Sequence, residues 1–214
     1  MKVIAVPITS LDEAKTRLAD ALSPLERGAL TLAMLEDVID ATVQVAGWDT
    51  WVVSPDESVL EIAAARGVLG IREEKPPLGN AVRQAEAEAV DRGAEQLAIL
   101  LGDTPMVTAD ALTRALHTLG SVVLAPDERE LGTNLLVRRP VAAIRARFGT
   151  ESLRKHLEAA AMAGAPAAVV QLPELAFDLD LPGDILTLLR SRRPGRTREV
   201  CLEMDLRARI RVHT

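Results

Sequence analysis

Gln96-Leu97-Ala98-Ile99-Leu100-Leu101-Gly102-Asp103-Thr104-Pro105 is the stretch whose reading decides the fold. An apolar run of strand length ends in a glycine, a carboxylate and then a proline that cannot continue a ladder. A second stretch, Phe177-Asp178-Leu179-Asp180-Leu181-Pro182, has a similar form. Read as a strand, it projects Asp178 and Asp180 to the same side, because successive strand side chains alternate. If the two segments meet at one sheet edge, three carboxylates surround a small volume. Such a cluster repels itself unless a hard cation sits in it, and Mg²⁺ with oxygen ligands suits that role.

Working outward from these segments, strands alternate with helices. Val3 to Ile8 reads as a buried first strand. Ser23-Pro24-Leu25-Glu26 opens a helix, with Ser23 as cap, Pro24 at the first position and Glu26 completing a capping box. Apolar residues then recur at helical spacing to Val43, and Gly47 ends the element. Further strands are expected at 50–53, 68–71, 96–101, 122–125, 133–137 and 168–171. Helices are expected at 59–66, 80–92, 109–119, 152–163 and 182–190, with a polar loop at 73–78. The pattern predicts a three-layer α/β fold with a mainly parallel sheet, whose ligands lie beyond the carboxyl ends of strands. That places one domain over 1–190. The remainder, 191–214, has alternating apolar residues over 199–212 and reads either as a tail that adds a strand or hairpin, or a contact across a homodimer, or as a loosely held terminus.

The bulk composition excludes several classes. The 214 residues are 48% apolar and 26% charged, which suits one globular domain. With two Trp, two Phe and no Tyr, there is no stacking platform for single-stranded nucleic acid. A net charge of −6 argues against a general nucleic-acid or membrane surface. Cys201 is the lone cysteine, so neither an internal disulfide nor a thiolate metal cage is expected. The first residues lack a signal-peptide pattern and no run reaches membrane-spanning length, which implies a cytoplasmic protein.

Other residues qualify as site candidates. Lys15 and Arg17, in Ala14-Lys15-Thr16-Arg17-Leu18 after the first strand, suit a polyphosphate, although a solvated surface pair is the commoner fate of such residues. No Gly-x-x-x-x-Gly-Lys-[Ser/Thr] loop is present. Gly132-Thr133-Asn134 precedes a strand, and Phe148-Gly149-Thr150-Glu151-Ser152 precedes a helix whose free N–H groups could meet an anion or simply be capped. Asp184 reads as a first-turn acid favoured by the helix dipole. His117, His156 and His213 lack metal-ligand spacing, and the first two read as surface or packing residues. With no nucleophile elbow and Cys201 in the tail, covalent catalysis is disfavoured. Metal-assisted transfer between anions remains.

Taken together, the motifs resemble one family. They are Val6-Pro7-Ile8, the 14–18 segment, Leu22-Ser23-Pro24-x-Glu26-Arg27, Leu32-Ala33-Met34-Leu35-Glu36-Asp37-Val38, Val53-Ser54-Pro55-Asp56, Ala125-Pro126-Asp127, Gly132-Thr133-Asn134, Phe148-Gly149-x-x-Ser152 and Phe177-Asp178-Leu179-Asp180-x-Pro182. The combination is similar to the 2-phospho-L-lactate or phosphoenolpyruvate guanylyltransferases of coenzyme F-420 biosynthesis, over about residues 1–190. Two positions depart from the family pattern: Thr9 stands where a lysine is common, and Leu78-Gly79-Asn80 replaces Gly-Leu-Asn.

The resemblance implies a Rossmann-like nucleotidyltransferase fold and a reaction in which GTP and a three-carbon phosphate ester give a guanylylated diphosphate and pyrophosphate. It implies Asp103, Asp178 and Asp180 as Mg²⁺ ligands. It places Lys15, Arg17, Gly79 and Asn80 at the nucleotide, and Thr133, Asn134, Gly149 and Ser152 at the acceptor. A downstream transferase that captures the product is the implied partner. Two alternatives stay open on the residues: another nucleotidyltransferase of molybdenum-cofactor or sugar-phosphate type, and a non-catalytic nucleotide-binding regulator.

Overall fold

The computed structural model describes residues 1–73 and 78–212. Seven strands among them form one sheet: β1 (Lys2–Pro7), β2 (Asp49–Ser54), β3 (Leu69–Arg72), β4 (Gln96–Leu100), β5 (Val122–Pro126), β6 (Thr133–Arg138) and β7 (Ala167–Val169). Their order is β3-β2-β1-β4-β6-β5-β7. All pairings are parallel except those of β6, which runs antiparallel to both β4 and β5. Beyond their first residues, β1, β2 and β4 are continuously buried, as strands covered on both faces must be.

Helices cover both faces, so the expected three layers are present. One face packs under α1 (Pro24–Thr42), α2 (Glu57–Ala65), α4 (Ala109–His117) and the short α6 (Pro173–Ala176), through Leu35, Val38, Ile39, Val59, Leu112 and Leu175. The other packs under α3 (Leu78–Asp91) and α5 (Ser152–Met162), through Ala81, Ala85, Ala89 and Ala160. The Ser23 capping box forms as expected: Ser23 Oγ accepts from the Glu26 N–H, while Glu26 Oε2 accepts from the Ser23 N–H at 2.8 Å. The 73–78 loop falls mostly outside the described residues.

A further apolar cluster lies beyond the sheet, beneath the carboxyl ends of β1 and β4. It joins Leu18, Leu22, Leu30 and Met34 to Phe177, Leu179, Ile185 and Leu188, the last two from α7 (Pro182–Ser191). Cys201, Leu206 and Ile210 complete it from α8 (Arg196–Glu203) and α9 (Leu206–Val212).

Residues 191–212 therefore do not add a strand; they form two helices. The cause is tertiary. The Asp37 carboxylate of α1 accepts the first free N–H groups of α8, Arg196 N at 2.6 Å and Thr197 N at 2.9 Å. Gly195 passes so close that a Cβ there would stand 3.0 Å from both Asp37 carboxylate oxygens. Arg209 then ties α9 back to the start of α1, donating to Glu26 Oε1 at 2.5 Å and to the Ala21 carbonyl at 2.7 Å. Residues 177–180 also differ from expectation, being extended chain outside the sheet. Their one main-chain tie to the β4 side runs from the Leu179 N–H to the Asp103 carbonyl at 3.0 Å.

Candidate active site

In open α/β sheets, ligands settle where neighbouring strands send their connections to opposite sides. Here that point lies between β1, which leads towards β2, and β4, which lies on its other flank. The loop after β1 supplies Lys15 and Arg17, and the turn after β4 supplies Asp103. At Gly102 the two loops approach so closely that a Cβ would meet the Ile8 Cδ1 at 2.1 Å.

The 8–18 loop is fixed by groups distant in sequence. Asp56 Oδ2, after β2, accepts the Leu11 N–H at 2.7 Å. The buried Arg27 guanidinium donates to the Ala14 and Leu22 carbonyls, each at 3.2 Å. Lys15 adopts a left-handed backbone with φ 51°, an unfavourable state for a side chain with a Cβ. A 3-10 turn, Thr16–Leu18, follows, and Leu18 is wholly buried. Leu18 on one side and Phe177 and Leu179 on the other sink into the same apolar cluster. Alternation then leaves Asp178 and Asp180 facing the Lys15 loop.

The result is a charge cluster. Lys15 Nζ lies 2.9 Å from Asp103 Oδ2 and 2.7 Å from Asp180 Oδ1. Burial alone would lower the Lys15 pKa, but Asp103 and Asp180 outweigh it and raise the value. Arg17 makes a longer contact of 3.4 Å to Asp180 Oδ2, and its side chain is 67% exposed. Asp178 is pushed up to about 6, first by burial and then by repulsion from Asp103 and Asp180. The three predicted acids thus converge. Asp180 does not cap α7; Asp184 Oδ2 takes the Asp180 and Leu181 N–H groups at 2.9 and 2.6 Å, which holds Asp180 in place.

The donor chemistry fits a hard divalent cation. All three groups are carboxylates, and Asp103 Oδ1 is buried without a hydrogen-bond partner. As the side chains stand, no group of three or more His, Cys, Asp or Glu residues among the described residues is arranged to hold an ion. The Lys15 ammonium occupies the bridging position between two of them. Lys15 was expected to face a polyphosphate and instead faces the acids, because it is the ammonium held within contact of both.

Beside this cluster lies a cavity of about 340 Å³, within the range of small-ligand sites. Thr9, Lys15, Arg17, Thr31, Asp103 and Asp180 are among its walls. Thr133, Asn134, Gly149 and Ser152 do not line it. Thr133 and Ser152 are 1% and 2% exposed, whereas Gly149 is exposed with φ +101°. The Leu153 N–H to Leu131 carbonyl bond at 3.2 Å brings the start of α5 against the start of β6 and unites these residues.

Asn134 has a different task from the ligand contact expected of it. Its Nδ2 donates to the Leu175 carbonyl at 2.9 Å and to the Ala176 carbonyl at 3.2 Å. Its own carbonyl accepts the Leu101 N–H at 2.9 Å. It therefore clamps the chain before Asp178 to the chain before Asp103. Gly79 and Asn80 sit in the first turn of α3, where Asn80 Oδ1 accepts from Arg83.

Arg27 and Asp56 stand in the quoted motifs with no role assigned, and His156, expected as a surface or packing residue, is a packing one. His156 is wholly buried between Thr133 and Arg147; its one sequence signal is its place four residues after Ser152, on the same helix face. His117 is exposed, as expected, with Nδ1 2.8 Å from the Thr113 carbonyl, and His213 lies outside the described residues. Cys201 is inert, its thiol pushed up to about 12 by burial and then by Asp37.

Known proteins resemble this chain in sequence and in fold. The family model "Guanylyl transferase CofC like" matches residues 1–208. A phosphoenolpyruvate guanylyltransferase from Sphaerobacter thermophilus is 40% identical over 187 residues, covering 86% of this chain and 90% of that protein. A 3-phospho-D-glycerate guanylyltransferase from Phenylobacterium zucineum is 37% identical, covering 92% and 93%. Among solved structures, a nucleotidyl transferase from Methanothermobacter thermautotroptrophicus superposes with a TM-score of 0.68 at 19% identity, covering 90% of this chain and 99% of that one. This last likeness concerns the fold. Among the described residues, no helix is long and apolar enough to cross a membrane.

Proposed function

The chain belongs to the CofC-like guanylyl transferase family, and from that premise we propose that it joins GMP from GTP to phosphoenolpyruvate, releasing pyrophosphate, as a step of coenzyme F-420 biosynthesis. The observation that carries the reading is the convergence of Asp103, Asp178 and Asp180 around Lys15 at the β1–β4 switch point.

In this reaction an acceptor phosphate oxygen attacks the α-phosphorus of GTP. The bond from that phosphorus to the α,β-bridging oxygen breaks, and pyrophosphate leaves with the electron pair. The second pKa of a phosphate monoester is about 6, so the nucleophile is already ionised at neutral pH and needs no general base. Charge and alignment are what the protein must supply. Arg17 would meet the triphosphate, a role supported by its exposure and its loose pairing to Asp180. Lys15 adds a second cation at the acids. The exposed turn at Gly149–Glu151, braced by Thr133 and Ser152 beneath it, receives the acceptor's anionic groups. Asp103, Asp178 and Asp180 would hold Mg²⁺, which when bound neutralises developing charge on the phosphates.

A 3-phosphoglycerate acceptor is the second reading, favoured by the Phenylobacterium zucineum relative. The test is pyrophosphate release with Mg²⁺, each of the four nucleoside triphosphates, and each of phosphoenolpyruvate, 2-phospholactate and 3-phosphoglycerate. A downstream transferase is included to draw off the product. Release with GTP and phosphoenolpyruvate above all other pairs is expected. Silence with every pair would remove the transferase reading and leave a nucleotide-binding regulator.

A further inference from the structure

His156 is a wholly buried ionisable group that the reaction above does not use. Its Nε2 lies 2.8 Å from the Arg147 main-chain N–H, which can only donate, so Nε2 carries the lone pair. The ring is neutral near pH 7, because burial, then Arg138 and Arg147, push its pKa down to about 4. The ring proton must therefore sit on Nδ1, which donates to Thr133 Oγ1 at 3.1 Å. Phe148 meets the ring edge-on, with centroids 5.2 Å apart and planes at 75°. One imidazole thus joins the first residue of β6 to the chain just before Gly149.

What that chain presents is a shape made by its backbone. Gly149 has φ +101° and Glu151 has φ +54°, both in the left-handed half of conformational space. Thr133 and Ser152 are almost wholly covered, so they act from below. Without the ring, the 147–151 turn would lose its hydrogen bond at Arg147 and its side-chain link to Thr133, keeping only main-chain bonds such as Leu153 N–H to the Leu131 carbonyl.

We propose that His156 is a positioning residue for the acceptor, holding Thr133 and the Arg147–Gly149 backbone as one preset cradle for the three-carbon phosphate. This rests on the acceptor site given under the proposed function. His156 touches no reacting atom; it acts through Thr133 and the turn.

Steady-state kinetics with GTP and phosphoenolpyruvate test it, using His156→Phe, His156→Asn, Thr133→Val and the double variant Thr133→Val with His156→Phe. His156→Phe keeps a ring but loses both hydrogen bonds. At the usual net worth of two such bonds, the acceptor KM should rise about 10-fold, with kcat and the GTP KM changed less than about 2-fold. His156→Asn keeps an amide donor near the Nδ1 position and should recover part of the loss. Residues acting through one contact are non-additive, so the double variant should be no worse than His156→Phe alone. Nitrogen NMR of the wild-type ring should show the Nδ1–H tautomer.

Equal rises in both KM values, additive losses, or an Nε2–H ring would each overturn the proposal. If His156→Phe fails to fold, the Asn variant and the ring tautomer carry the decision. A wild-type enzyme that turns over GTP with no three-carbon phosphate would defeat the acceptor reading itself. One that turns over while His156→Phe and His156→Asn keep a normal acceptor KM would defeat only the role given to His156.

Discussion

Replacing Lys15 by methionine keeps most of the stem and removes the ammonium that bridges Asp103 and Asp180. At contacts of 2.9 and 2.7 Å, each ion pair carries an attraction of about 6 kcal/mol at an effective dielectric of about 20. Most of this is offset. The Lys15 side chain is only 8% exposed, and burying its charge costs several kcal/mol. The partner carboxylates are 29% and 34% exposed, so water screens both in the variant. The net loss of stability should be about 2–3 kcal/mol at pH 7. For a chain of this length that is a fall in Tm of about 5–10 °C. The variant leaves three acids without their bridging cation, so millimolar Mg²⁺ should raise its Tm more than it raises that of the wild type. Turnover should fall at least about 100-fold, the usual cost of losing one preorganised charge contact. Thermal melts with and without Mg²⁺, beside pyrophosphate release, read all three effects. A Lys15→Met protein with wild-type Tm, wild-type turnover and no added response to Mg²⁺ would refute the view that these acids form one electrostatic unit.

Asp178→Asn should abolish turnover yet give a wild-type circular dichroism spectrum; near-normal pyrophosphate release would remove Asp178 from the site. His156 is depressed to about 4 against an ordinary 6.5, so the unfolded chain binds more protons between these values. Stability should therefore fall as pH drops through that window, by up to about 3 kcal/mol, and His156→Asn should flatten this part of the denaturation profile. Asp37→Ala removes the acceptor for the first N–H groups of α8 and should cost about 1–2 kcal/mol. Hydrogen exchange should speed at Arg196 and Thr197 in that variant, and unchanged protection there would contradict the capping role.

The layers of the fold were legible because each is written in local periodicity. Short apolar runs such as Val3–Val6 and Leu97–Leu100 read as strands covered on both faces, and α1 announces its start through the Ser23-Pro24-Leu25-Glu26 box. Asp103 was legible as a carboxylate just beyond an apolar strand, whereas the strand read around Asp178 and Asp180 is extended chain outside the sheet. The tail was misread. Its alternating residues suggested a strand, but Asp37, some 160 positions away, supplies the acceptor that starts a helix. Residues 177–180 alternate as a strand would, yet their N–H groups go to the Asp103 carbonyl, the Asp184 carboxylate and the Pro173 carbonyl rather than to a neighbouring strand.

By itself, then, the sequence determined which residues are apolar, where α1 begins and that Asp103 follows a strand, because these depend on neighbours within a turn or two. The tertiary structure alone decided which charge answers which. Lys15 and Asp180 are 165 positions apart and Thr133 and His156 are 23 apart, yet each pair is within hydrogen-bonding distance. Coulomb and hydrogen-bond energies depend on separation in space, and chain order does not encode that separation until the apolar cluster around Leu18 and Leu179 has closed.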